Sequence, residues 1–134
     1  MKFNSQTCTT KEQSERLLAL GLKADTADMS IIINAVDYDG VKYSLIPYSE
    51  TNYPKMFGVI PAWSLHRLIE MMPTVITSVD YSLILGINAT YVYYADDEYA
   101  ETFNIIESNL YDCVVKCIEW LIKESYFNKE YLEE

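Results

Sequence analysis

Glycine, proline and histidine are scarce in this chain, and basic residues are few. Four glycines and four prolines among 134 residues leave little material for long structureless linkers. No glycine-rich phosphate loop is present, which counts against nucleotide-dependent enzymes. His66 is the only imidazole. The three cysteines, Cys8, Cys113 and Cys117, are odd in number and lack framework spacing, so free thiols in a reducing cytosol are expected. No apolar run approaches the ~18 residues that a membrane span requires. Met1-Lys2-Phe3-Asn4-Ser5 is polar with no apolar h-region, so no secretory signal is expected. Without one, the sequon Asn88-Ala89-Thr90 reads as a turn. The ten basic residues are scattered and the net charge is −10, which opposes direct binding to nucleic acid or to an anionic membrane.

Half of the residues are apolar and about a fifth are charged, the balance of a globular chain. The length suits one domain over residues 1–134. Twelve tyrosines stand out. Tyrosine fits half-covered strands and wet interfaces, because its ring is apolar and its tip hydrogen-bonds. From Ala95 onward eleven acids meet three lysines, so this part holds −8 of the total charge. Its apolar residues recur at helical spacing, which predicts a docked helix with a negative outer face.

Thr9-Thr10-Lys11-Glu12 predicts a first helix, capped by Thr9 with Glu12 reaching back and stopped at Gly21. Ser30–Tyr38 and Val41–Ile46 flank Asp39-Gly40, a type I′ hairpin signal that sets Tyr38 opposite Val41 and Asp37 opposite Lys42. Tyr48–Val59 reads as an irregular connection. Pro61 then opens a second helix over Ala62–Met72, ended by Pro73. Val75–Val79, Tyr81–Ile87 and Thr90–Tyr94 are expected strands, with a turn at Gly86–Ala89. Residues 100–107 fit either an edge strand or the lead-in to a last helix. That helix is expected to start near Asn109 with Leu110, Cys113, Val114, Cys117, Ile118, Leu121 and Ile122 as its stripe. Residues 125–134 read as an acidic tail, with Phe127, Tyr131 and Leu132 as anchors. The fold class is therefore α+β: one antiparallel sheet of about four to five strands with three helices, in the order α-β-β-α-β-β-(β)-α.

Ile60-Pro61-Ala62-Trp63-Ser64-Leu65-His66-Arg67-Leu68-Ile69-Glu70-Met71-Met72-Pro73 resembles a Pro-Ala-Trp-Ser-Leu block of small proteins carried by prophages and conjugative elements of gut bacteria. Cys117-Ile118-Glu119-Trp120-Leu121-Ile122-Lys123-Glu124 is similar to their Trp-containing C-terminal helix, and Thr10–Leu22 to their N-terminal block. The resemblance covers about half of the chain and leaves out the central hairpin. It implies a cytoplasmic accessory protein of a mobile element and supplies no mechanism.

Chemistry-bearing patterns are weak. Ser64 and His66 stand at i, i+2 on the expected helix, so they diverge and cannot act as nucleophile and base. Cys113 and Cys117 at i, i+4 offer two thiolates, but zinc needs two more ligands. Asp37, Asp39 and Gly40 echo part of a calcium loop without its distal Glu. No catalytic residue, cofactor or metal is expected. The candidate interaction surface comprises Trp63, Tyr91, Tyr93, Tyr94 and Trp120, with the acidic run Asp96, Asp97 and Glu98.

These patterns point first to a non-enzymatic protein-interaction protein with an unknown protein partner, or a homo-oligomer, without membrane or nucleic-acid contact. The alternative is an acidic nucleic-acid mimic that inhibits a host DNA- or RNA-binding protein. A small enzyme with a carboxylate site ranks behind both.

Overall fold

The structure, a computed structural model, describes residues 6–33, 41–44, 47–50, 58–79, 81–85, 91–95, 101–106 and 109–134. The chain divides into two compact units, Met1–Arg67 with Tyr131–Glu134, and Leu68–Glu130. The class is α+β. The single expected sheet is replaced by two antiparallel sheets, of three and of four described strands.

In the first unit, helix α1 (Lys11–Ala19) is capped by Thr10 rather than Thr9. Thr10 Oγ1 accepts from the Gln13 N–H at 3.2 Å, and Gln13 Oε1 accepts from the Thr10 N–H at 3.0 Å. Thr9 is buried, and its hydroxyl is engaged by Ser14 Oγ and the Trp63 N–H, so it is not available to cap. The helix stops where expected. Gly21 takes φ +95°. Its N–H donates to the Leu18 carbonyl, and the Leu22 N–H donates to that of Leu17, the paired bonds of a Schellman motif.

Strand β1 (Met29–Ile33) lies between β2 (Val41–Ser44) and β3 (Gly58–Ala62). Ile33 pairs with Val41 and Gly58, and Ile31 with Tyr43 and Ile60. This corrects the hairpin register, since Lys42 pairs with Ile32 and not with Asp37. The Asp39-Gly40 turn lies outside the described residues. The physical reason is that Met29 to Ile32 are all buried, so β1 has no polar face. Alternation then leaves the register open, and pairing on both edges decides it. A second correction concerns Pro61, which belongs to β3 and pairs with Ser30 rather than opening a helix. An edge strand tolerates proline because one side of its ladder is unpaired. Cys8, Met29, Ile31 and Ala62 form a core here, with Ile33 and Ile60 packed against it.

Helix α2 (Leu65–Met71) starts later than expected, behind Ser64, whose Oγ accepts from the Arg67 N–H at 3.2 Å. A 3-10 turn, Ala24–Thr26, follows α1. Residues 131–133 return to this unit. Leu132 bridges Leu22, the Lys23 N–H donates to the Tyr131 carbonyl at 2.9 Å, and the Glu133 N–H donates to the Gly21 carbonyl at 2.7 Å. Tyr131 and Leu132 therefore anchor the segment that reads as a tail.

The second unit is a meander of β4 (Val75–Ile76), β5 (Tyr81–Leu85), β6 (Tyr91–Ala95) and β7 (Glu101–Ile106), in that spatial order. Residues 101–106 are thus a strand. The expected turn at 86–89 lies outside the described residues. Helix α3 (Leu110–Lys123) packs against β6 and β7. Asn109 caps it, its Oδ1 accepting from the Tyr111 N–H at 2.7 Å. Tyr111, Cys113, Val114, Val115, Cys117, Ile118 and Leu121 are buried, so the apolar face is broader than the expected stripe, with Leu110 and Ile122 half-buried at its margins. A second Schellman pair ends α3. The Ser125 N–H donates to the Ile122 carbonyl and the Tyr126 N–H to that of Leu121. Among the described residues no helix is long and apolar enough to cross a membrane.

Candidate interaction surface

In the first unit the sequence-singled residues Trp63, Ser64 and His66 meet different fates. Trp63 is fully buried, not on the surface. Its Nε1–H donates to Thr26 Oγ1 at 3.0 Å, and its backbone exchanges bonds with Thr9, N–H to Oγ1 at 3.0 Å and carbonyl from the Thr9 N–H at 2.9 Å. Thr26 Oγ1 passes its own proton to the Lys23 carbonyl. Every polar atom of the indole and of the two threonine hydroxyls is thereby satisfied in the interior, as burial demands. Ser64 is held by Asp28, its N–H donating to Oδ1 at 2.8 Å and its hydroxyl to Oδ2. That hydroxyl also caps α2. His66 is exposed on α2.

In the second unit Trp120 is half-buried near the end of α3. Its ring lies 5.7 Å from that of Tyr94 and 5.6 Å from that of Tyr126, both tilted, the arrangement that aromatic quadrupoles favour. Tyr94 is fully buried. Its hydroxyl donates to the Pro73 carbonyl at 2.6 Å, which fixes the ring beneath Trp120. Burial, and secondarily Cys117, raises the Tyr94 pKa, so the phenol remains a donor. Tyr126 is half-buried and enters the group because the left-handed Ser125 (φ 63°) reverses the chain after α3. The product is an aromatic ledge with Trp120 and Tyr126 partly open to solvent.

Cys113 and Cys117 are both buried on α3. Burial pushes the Cys117 thiol up to about 12 and raises that of Cys113. Thiols so held are packing groups, since the thiolate is the nucleophile and the metal ligand. Among the described residues no group of three His, Cys, Asp or Glu gathers as a metal site.

The charge distribution corrects the expected negative face of the last helix. Within Leu110–Lys123, Asp112 and Glu119 are balanced by Lys116 and Lys123, and Lys123 Nζ lies 3.1 Å from Glu119. Among the described residues from Leu110 onward, the exposed acids follow the helix instead, at Glu124, Glu130, Glu133 and Glu134. Tyr91 and Tyr93 stand on β6, with side chains outside the described residues, as are Asp96, Asp97 and Glu98. An open cleft of about 370 Å³ lies in the first unit, lined by Lys23, Ala24, Asp25, Tyr48, Ser49 and Glu133.

The structure brings Tyr94 and Trp120 together and sets Trp63 in a different unit. Sequence reading gives Tyr126 and Asp28 no role and offers Thr26 only as a possible helix cap, not as the partner of Trp63. Tyr126 carries one local signal, its place just past a helix end. Thr26 and Asp28 act through partners 36 to 41 residues away, beyond any local pattern. Comparison of the chain with protein-family models, curated proteins and solved structures gives no match.

Proposed function

We propose that this chain is a non-enzymatic, cytoplasmic protein-interaction protein, an accessory of a prophage or mobile element, that engages its partner through the Trp120–Tyr126 ledge. The observation that carries the reading is the half-open Trp120 ring, seated on the buried Tyr94 and flanked by Tyr126. A pre-positioned tryptophan loses little freedom on binding, and tryptophan and tyrosine dominate interface hot spots. The three buried free thiols fit a reducing compartment. The charge balance along α3 weighs against an acidic mimic, which needs a continuous run of carboxylates on a regular face.

The test compares tagged wild type with Trp120→Ala in pull-downs from bacterial lysate at low and high salt, with eluates sized by light scattering. The expected result is a stoichiometric complex, or a self-complex, that survives high salt and is lost in Trp120→Ala. A complex released by salt and indifferent to Trp120 would replace this reading with the acidic mimic.

A further inference from the structure

The first unit is discontinuous in sequence. It comprises Met1–Arg67 and the short segment Tyr131–Glu134, with all of Leu68–Glu130 between them. The two sequence positions that bracket the intervening unit lie close together, since the Arg67 guanidinium sits 5.7 Å from the centroid of the Tyr131 ring. Its attachments include two main-chain bonds and one bridge, to Gly21, Leu22 and Lys23.

We propose that Tyr131–Glu133 is a latch on the first unit, and that its release loosens the seat of Trp63 while the second unit stays folded. This inference stands on a different element from the aromatic ledge and does not depend on it.

A contiguous set of bonds couples the latch to the interior. The Tyr131 carbonyl accepts from the Lys23 N–H. The Lys23 carbonyl in turn accepts from the Thr26 hydroxyl and the Thr26 N–H. Thr26 Oγ1 receives the Trp63 indole proton, and its carbonyl receives the Arg67 Nε proton at 2.9 Å. Trp63 exchanges main-chain and hydroxyl bonds with Thr9, the neighbour of the buried Cys8. Leu22, the residue that the latch bridges, is itself buried. Freeing the latch leaves the Lys23 N–H and the Gly21 carbonyl without these partners, and releases the ring beside Arg67. The elements that then shift are the 3-10 turn and the Trp63 seat, because they share those residues. Local opening of this kind has its own free energy, below that of global unfolding. The same segment places Glu133 in the wall of the open cleft, so the latch also shapes that cleft.

The chain carries its own reporters. Cys8 lies in the first unit, and Cys113 and Cys117 in the second, all buried and free. The experiment is thiol labelling of the full chain at native conditions, with each cysteine followed by peptide mass mapping. Glu133→Pro removes the N–H that donates to Gly21 without touching the apolar side chains. Cys8 is expected to label at least about tenfold faster than in wild type, with Cys113 and Cys117 unchanged. Tyr131→Ala, which keeps both main-chain bonds and removes the ring beside Arg67, is expected to give a smaller rise with the same selectivity. It serves as the readout should Glu133→Pro fail to fold. An unchanged Cys8 rate would overturn the latch. So would a parallel rise at all three cysteines, which would make the segment a global stability element.

Discussion

Two residues with left-handed backbone end two helices, and they differ in side chain. Gly21 takes φ +95° after α1, and Ser125 takes φ 63° after α3. A side chain in this region costs roughly 1–2 kcal/mol, which glycine avoids. Nothing lies within 4 Å of a Cβ built at Gly21, so Gly21→Ala tests the backbone alone. It is expected to destabilise by about 1–2 kcal/mol. Ser125→Gly is expected to stabilise by roughly 0.5–1 kcal/mol, the relief of strain being partly offset by greater freedom in the unfolded chain. Urea midpoints that moved in the same direction for both variants would contradict this account. Gly21 was legible as a helix stop, because glycine advertises the conformation. Ser125 was not, since serine carries no such mark and the reversal that delivers Tyr126 to Trp120 depends on it.

At the scale of elements, the starts of α1 and α3 depend on short local bonds and read from sequence to within a residue. Asn109 caps α3 as predicted, and α1 has a capping box one residue beyond the predicted one. Thr10→Ala and Asn109→Ala are each expected to cost about 1 kcal/mol, measured by chemical denaturation, and an unchanged midpoint in either variant would contradict that cap. Strand register behaves differently. Ile31-Ile32-Ile33 announces a strand but offers no polar face, so a nearby Asp-Gly pair dominated the local reading. The pairing of β1 with both β2 and β3 resolved it. Pro61 misled in the same way. A proline before an apolar helical pattern resembles a helix start, and only the edge position of β3 explains its place in a strand.

For the molecule as a whole, the three thiols report on both units. Burial raises the Cys8 pKa to about 11 and that of Cys117 to about 12, from 9.0. A raised folded-state value means that the neutral thiol is favoured in the native chain. The corresponding stability is fully present below pH 9 and is lost as pH rises through 11 to 12. Tyr94, also raised by burial, acts in the same direction. Unfolding free energies measured from pH 7 to higher pH are expected to stay level with respect to these groups and then fall above about 9. Cys117→Ala is expected to flatten that alkaline limb, and an unaltered limb would show that Cys117 is not buried as a neutral thiol.

Composition and local pattern by themselves determined the α+β class, the helix ends at Gly21, Pro73 and Asn109, and most of the apolar face of α3. These depend on bonds and periodicities within a few residues of one another, which a linear reading can see. Tertiary structure alone decided the split into two sheets, the register of β1, the burial of Trp63, the partnership of Trp120 with Tyr94, and the return of Tyr131–Glu133 to Gly21–Lys23. Each of these depends on residues distant in sequence competing for the same donors, acceptors or apolar surface. That competition is settled only when the chain has folded.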